Sequence, residues 1–350
     1  MNIYFFWVLI AFLFLGQLIL LLALSLRKLL INKKEQTISQ QYDMLSESFS
    51  SYMMDPTDNG FIEEISLASD QTIVLERLLN HYVAVSKGSV NSPQVAQLTE
   101  KYLTERYKKQ LQRNNWAIRM NTLYFIEDFH MKSLTPLLKE KLHKSLRLDR
   151  ETQQLIRTLT SLNEPMTLSV LARYVDAPFR LYIDVLKRLE LNIQLEELDA
   201  ALKNEQNNKV LKYAAVSYIG MTGLLEFLPR IEEELLSDDE ELRIQALKCI
   251  QHLQYISSPS LLTPFFHSTS WQERMFATRI VGKLQLSRYQ EVLSELLGDS
   301  VWWVRYSSAE ALTQFADGDI LLSHLSENHP DRFARDMATQ WEASLLGSEE

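Results

Sequence analysis

Cysteine occurs once in this 350-residue chain, at Cys249, so no intramolecular disulfide can form and a reducing compartment suits it. Glycine and proline are scarce, nine of each, while Leu, Glu, Lys and Gln abound; so few breakers argue for mostly helical structure. Catalytic signatures are missing as well. There is no H-E-x-x-H, no G-x-G-x-x-G, no P-loop and no C-x-x-C pair. The seven histidines are scattered, and His324 with His329, five residues apart, fall on different faces of a helix, which is not metal-ligand spacing. No catalytic residue, cofactor or metal ligand is expected, and the chain does not read as an enzyme.

Charge is absent from Ile3 to Leu26, IYFFWVLIAFLFLGQLILLLALSL. At 1.5 Å per residue this run reaches about 36 Å, enough to cross a hydrocarbon core of roughly 30 Å with some tilt. A secretory signal would need a basic start, a shorter apolar run and a small-residue cleavage site. Residues 1–8 carry no Lys or Arg, and no A-x-A comes after the run. Directly after it stand Arg27, Lys28, Lys33 and Lys34, with no acid before Glu35. The positive-inside rule therefore puts the C-terminal body in the cytoplasm and the N-terminus outside, as a single-pass cell-membrane protein. Gly16 and Gln17 form the one polar, small-residue spot at mid-depth, read as a tolerated amide rather than as a site for a partner helix.

Residues 1–34 thus read as an anchor with a basic cytoplasmic flank. Residues 35–60, rich in Ser, Gln, Asp and Met and closing on the turn cluster Asp55, Pro56, Asp58, Asn59 and Gly60, read as a linker or partly helical stalk. Residues 61–92 turn apolar again, with Ile73, Val74, Leu78, Leu79, Tyr82 and Val83 spaced for one helix face. They suit an N-terminal helical cap on the body that begins at residue 93. Charge is uneven along the chain: residues 101–150 hold twelve bases against five acids, whereas 151–350 hold eighteen bases against thirty acids. The membrane-proximal end is basic and the distal end acidic.

From residue 93 to 350 a pattern recurs. Its clearest copy is DSVWWVRYSSAEALTQF around Arg305, and steps of 31 backward land on Arg274, Arg243 and Lys212, then, three steps further, on Arg119. Arg335 stands 30 residues after Arg305. Two degenerate copies, near Arg150 and Arg180, keep the rhythm through Leu155 with Ile156 and Val185 with Leu186, giving about eight units. Each unit reads as a helical hairpin whose second helix begins four or five residues before the basic position. The starters Asn115, Asp176, Asn208, Asp239, Ser270, Asp299 and Asp331 are residue types that cap a first helical turn. Ala215, Ala246, Ala277, Ala309 and Ala338 offer small side chains for close helix approach. Prolines at 136, 229 and 264 mark the start of preceding helices. Such length does not require one core, because a repeat stack grows in one dimension.

The wording D-x-x-V-R-x-x-A-A-x-A-L in units of about 31 residues resembles the HEAT family, in its short bacterial form also seen in phycobilin lyase-related proteins. The resemblance covers about 250 residues and implies an all-α solenoid. It also implies that acid and arginine bond between adjacent hairpins, so that Asp239 with Arg243, Asp299 with Arg305, and Asp331 with Arg335 form a structural ladder together with Arg119, Lys212 and Arg274. Lys212, Ser270 and the shifted Arg150 depart from the pattern, and the ladder is expected to break there.

Three surface features remain. The acidic run Glu232, Glu233, Glu234, Asp238, Asp239, Glu240 and Glu241 covers a turn and could receive a basic partner. Trp116, Trp271 and Trp302, each three residues before a basic position, suggest repeat packing; Trp303 breaks the equivalence and is the candidate contact residue. Basic clusters at Arg106, Lys108, Lys109 and Arg113, and at Lys139, Lys141, Lys144, Arg147 and Arg150, suit attraction to an anionic leaflet better than nucleic acid, which wants a continuous basic track. The expected function is a membrane-anchored scaffold binding another protein, which can itself be membrane-associated, with glycosyltransferase or exopolysaccharide machinery as one client class. The alternatives are a ligand- or chromophore-handling enzyme of the lyase-related kind and, less favoured, nucleic-acid binding.

Overall fold

A computed structural model describes residues 3–55, 60–67, 70–86, 92–164, 167–174, 176–203 and 208–346. Among these residues the regular elements are all helical and the fold is an all-α helical repeat of the solenoid class. The chain forms two compact units, residues 1–164 and 165–350, so the repeat region contributes to both.

The first unit begins with α1 (Ile3–Met54), one uninterrupted helix of 52 residues. From Phe12 to Ile31 its described side chains are exposed, Leu20, Leu21 and Leu30 each by 61–70%. Burial begins at Ile38 and continues at Leu45, Phe49, Tyr52 and Met53, spacings that return to one helix face. Residues 35–54, expected as linker or stalk, are thus helix with a buried stripe, and residues 56–59 of the turn cluster lie outside the described residues. Against that stripe pack α2 (Gly60–Leu67) and α3 (Gln71–Val85). Phe49 meets Phe61 edge-on at 5.2 Å and Tyr82 at 6.1 Å between ring centres. The buried face of α3 centres on Val74, Leu75, Leu78 and Leu79. Two ion pairs fasten α1 just beyond the apolar run: Lys34 to Asp70 at 3.3 Å and Glu35 to Arg77 at 2.7 Å. Lys34 is therefore not a free flanking charge.

The unit continues with α4 (Pro93–Tyr102), α5 (Thr104–Leu111), α6 (Trp116–Asp128), α7 (Thr135–His143) and α8 (Arg150–Ser161), with α6 stacked on α8. Asn115 caps α6 by accepting from the Ile118 amide at 3.2 Å, and Asp149 caps α8 from the Thr152 amide at 2.8 Å. Pro136 sits in the first turn of α7, where its missing donor costs little.

The second unit comprises α9 (Thr167–Leu171), α10 (Phe179–Leu186), α11 (Leu191–Lys203), α12 (Lys209–Thr222), α13 (Leu228–Glu234), α14 (Glu240–Leu253), α15 (Trp271–Lys283), α16 (Gln290–Leu296), α17 (Trp302–Leu312), α18 (Gly318–Asn328) and α19 (Arg332–Leu346). The second helices of successive hairpins, α10, α12, α14, α15, α17 and α19, stack in order. From α12 onward each starts three residues before its basic position. Ala215, Ala246, Ala277, Ala309 and Ala338 are fully buried between neighbours.

Two glycines set close helix approaches. A methyl on Gly220 would lie 2.8 Å from the Cys249 Cα, and one on Gly282 would lie 2.7 Å from both Cα and Cβ of Ala311. Cys249 thus occupies a packing position; it is 1% exposed, and burial pushes its thiol up to about 12.

Three expectations about helix starts need correction. Asp176 stands ahead of α10, whose N-cap is Pro178; Ser270 holds the N-cap of α15 but turns its hydroxyl to Gln272; Asp299 accepts from the Val301 amide, one residue ahead of α17. Pro264 opens no α-helix: it lies within a 3-10 segment, Pro259–His267, where its ring would clash with the carbonyl four residues back in an α-helix.

Candidate partner-binding surface

Most of the basic series is absorbed by the fold, in a repeated way. A guanidinium in the first turn leans back toward the helix start. Its Nη1 accordingly donates to the carbonyl six residues earlier: Arg119 to Arg113, Arg243 to Ser237, Arg274 to Ser268, Arg305 to Asp299 and Arg335 to His329, at 2.6–2.8 Å. The remaining nitrogens of three of them reach forward to a carboxylate of the next unit. Arg119 clasps Glu151 at 2.7–3.0 Å, Arg243 meets Glu273 at 2.6 Å, and Arg274 clasps Asp299 at 2.6 and 2.9 Å.

The expected pairings of Asp239 with Arg243, Asp299 with Arg305, and Asp331 with Arg335 are therefore replaced. Asp239 accepts from the Leu242 amide, from Lys209 at 2.6 Å and from the Tyr213 hydroxyl at 2.8 Å. Burial raises its carboxyl, but these hydrogen bonds outweigh burial and hold it below its ordinary value. Asp331 caps its own helix at the Ala334 amide, 2.9 Å. The reason is geometric: a cap carboxylate is turned into its own first-turn amides, so Arg243 finds its acid one helix further along, while Arg305 and Arg335 donate to backbone carbonyls instead. At Lys212 the ladder is rerouted rather than broken, through Glu234 at 2.7 Å. Glu151, Glu273 and Glu234 escape a reading of the sequence, because their offsets from the basic position vary.

The acidic run is mostly engaged. Glu232 accepts from the Ser257 amide and hydroxyl, Glu233 pairs with Arg230 at 3.1 Å and Glu234 with Lys212, while Asp238 is exposed beside them. The basic clusters of the first unit are matched in part: Lys108 to Glu105, Lys139 to Glu164, Lys141 to Glu151 and Lys144 to Glu140, whereas among the described residues Lys109, Arg113, Arg147 and Arg150 have no carboxylate within ion-pair distance. A cleft of about 590 Å³ between α6, α7 and α8 is lined by Arg113, Arg119, Lys141 and Lys144, and also by Glu140, Asp149 and Glu151, so its charges largely cancel.

One surface that internal bonding leaves free of carboxylate partners lies on α14, α15, α17 and α19. Trp302 and Trp303 are 44% and 50% exposed, so Trp302, like Trp116 at 49%, is not buried in repeat packing. Trp302 instead packs on Trp303 at 4.7 Å and on Tyr306 at 5.0 Å, and Tyr306 meets Trp341 at 5.1 Å. Phe333, at the position equivalent to Trp303, is 63% exposed, with the Arg305 guanidinium 5.3 Å over its ring. Beside this aromatic set lies a groove of about 320 Å³ lined by Gln251, Arg279, Gly282, Lys283, Tyr306, Ser307, Glu310, Ala311 and Gln314. Arg279 donates to the Ser307 hydroxyl at 3.0 Å, and Arg279 and Lys248 flank the Phe276 ring at 5.8 and 5.2 Å. Among the described residues, none of Lys248, Arg279 and Lys283 has a carboxylate within ion-pair distance, and no three His, Cys, Asp or Glu gather as a metal site. The arrangement offers stacking surface and positive charge, without a nucleophile set beside a base.

A HEAT repeat model matches residues 290–318, the α16–α17 hairpin. No curated protein matches the chain. Among solved structures, an engineered protein is 12% identical over 82% of this chain and 90% of its own, with a TM-score of 0.38. The complex of CpcE and CpcF of phycocyanin lyase from Nostoc sp. is 15% identical over 69% and 94%, with a TM-score of 0.30. Human deoxyhypusine hydroxylase in complex with glycerol is 16% identical over 89% and 98%, with a TM-score of 0.26. The chain is an all-α helical repeat protein, one hairpin of which matches the HEAT repeat.

Proposed function

We propose that the chain is a single-pass membrane protein whose cytoplasmic HEAT-like body acts as a non-catalytic scaffold for another protein. The observation that carries this is α1. One continuous helix joins a charge-free apolar half, exposed throughout its described length, to a half that forms part of the core of the first unit. An exposed apolar stretch of that length is unfavourable in water and favourable in lipid. Only about 18 Å of helix separates Leu26 from Ile38. The body is thereby held close to the bilayer, which raises the local concentration of anything it binds. Partner recognition falls to the surface of α14–α19, where exposed aromatic rings lie beside cations without carboxylate partners.

The test is crosslinking and affinity purification from membranes, comparing the full chain with a variant lacking residues 1–34. Recovery of one membrane-associated protein by the full chain only, a glycosyltransferase or polysaccharide-assembly component being one client class, supports the reading. Recovery of no protein by either form, with a small molecule retained instead, overturns it.

A further inference from the structure

We propose that the groove between α15 and α17 seats an acidic peptide segment of the partner, with carboxylates at Arg279 and Lys283 and an apolar side chain against Tyr306 and Trp302. This rests on the scaffold reading and names the chemistry of its partner. The charge argument comes from contrast. Residues 151–350 carry thirty acids against eighteen bases, and of this unit's repeat-ladder cations Lys212, Arg243 and Arg274 each have a carboxylate at 2.6–2.7 Å while Arg305 and Arg335 donate to carbonyls. Among the described residues, Arg279, Lys283 and Lys248 have no carboxylate within ion-pair distance, although acids outnumber bases over residues 151–350. Unmatched cations clustered on two adjacent helices of an acidic body make a local positive field that favours an anionic partner and repels a basic one.

Geometry narrows the ligand further. Arg279 is pre-set: its Nε is held by Ser307 and its plane lies near Phe276, so the outer guanidinium nitrogens are oriented without further loss of freedom. Lys283 is exposed at the rim one turn on, and Gln251 and Gln314 add amides able to bond a peptide backbone. Glu310 lines the opposite wall, so the basic strip is confined to the α15 side, short enough for a few carboxylates and too short for a phosphate backbone that needs a continuous basic track. The groove opens onto Tyr306, which stacks with Trp302 and Trp341, a half-exposed aromatic surface of the kind that anchors one apolar residue of a bound peptide.

The probe is a fluorescein-labelled decapeptide of glutamates with one central leucine, read by fluorescence anisotropy against the full chain in nonionic detergent. A lysine decapeptide of the same design is the counter-probe. The acidic probe is expected to bind, with affinity falling as salt rises. Arg279→Gln with Lys283→Gln should weaken it at least about tenfold, the size of one lost charge-assisted contact, and Trp302→Ala should weaken it separately. Arg288→Gln, which alters an exposed cation on the short turn before α16, should leave binding unchanged, and unfolding midpoints of all variants should match the parent.

Equal binding by the groove variant and the parent overturns the proposal, as does preference for the lysine probe. Displacement of the probe by single-stranded RNA at lower concentration than by unlabelled peptide overturns it in favour of nucleic acid. Concentration-dependent self-association abolished by the groove substitutions overturns it in favour of a second copy as occupant. The membrane purification repeated with the groove variant separates the two readings. A partner still captured refutes the groove while the scaffold stands; a partner lost with the variant alone supports both.

Discussion

Gly282→Ala tests how closely α15 and α17 must approach. The new methyl would stand 2.7 Å from the Ala311 Cα and 2.7 Å from its Cβ, where ordinary contact begins at 3.4 Å. One of the blocking atoms is backbone, so no rotamer change relieves the clash, and the helices must part by about 0.7 Å. Overpacking of this kind costs about 1–3 kcal/mol, and a backbone obstruction belongs at the upper end. Replacing glycine inside a helix returns about 1 kcal/mol. The net loss is therefore about 2 kcal/mol, or roughly 4–8 °C in the unfolding midpoint of a unit of this size. The assay is thermal unfolding of the full chain in detergent followed by far-ultraviolet circular dichroism, with hydrogen exchange locating the loss in α15 and α17. Gly298→Ala, whose methyl would meet its nearest atoms at 3.4–3.5 Å, is the control and should stay within about 0.5 kcal/mol. A Gly282→Ala midpoint equal to or above the parent would mean that helix propensity decides this position and that the close approach constrains nothing.

Four further outcomes are expected. Arg243→Met leaves Glu273, 2% exposed, without its guanidinium and should destabilise by about 3 kcal/mol or more, whereas Arg243→Met with Glu273→Leu should recover most of that in a double-mutant cycle. Asp149→Ala should cost about 1 kcal/mol by denaturant unfolding, and Ser270→Ala, whose hydroxyl makes no cap bond, clearly less. Hydrogen bonds from Arg119 hold the Glu151 carboxyl below its ordinary value of 4.5 despite its burial. Its stabilisation is thus complete above that value and lost as pH falls through the lower folded value, so Glu151→Gln should flatten the stability profile on the acid side of pH 4.5. Cys249, buried and with its thiol raised to about 12, should resist iodoacetamide at neutral pH in the folded chain and react only in step with unfolding.

The repeat, the caps at Asn115, Asn208, Asp239 and Asp331, and the buried alanines were legible because they rest on local spacing. A cap bonds amides three residues away, and a small residue recurring at one place in each unit marks one helix face whatever lies opposite. The acid partners of the ladder were not legible in this way. Arg119 reaches 32 residues ahead, Arg243 reaches 30 and Arg274 reaches 25, and only the stacking of one helix on the next decides which carboxylate stands within 3 Å. Exposure was hidden for the same reason. Trp271, Trp302 and Trp116 share one repeat position, yet Trp302 and Trp116 are about half exposed, because the room beside a ring depends on what the neighbouring hairpin places there.

The amino-acid order by itself determined the helical class, the unit length near 31, the apolar charge-free run and the excess of acid in the distal half, since each is a property of neighbours along the chain. Tertiary structure alone decided that α1 runs unbroken from that run into a packed core, which acids the ladder uses, and that Lys248, Arg279 and Lys283 remain without carboxylates beside the groove. The ladder's ion pairs join residues 22 or more apart in sequence, and those distances are fixed only when the hairpins stack.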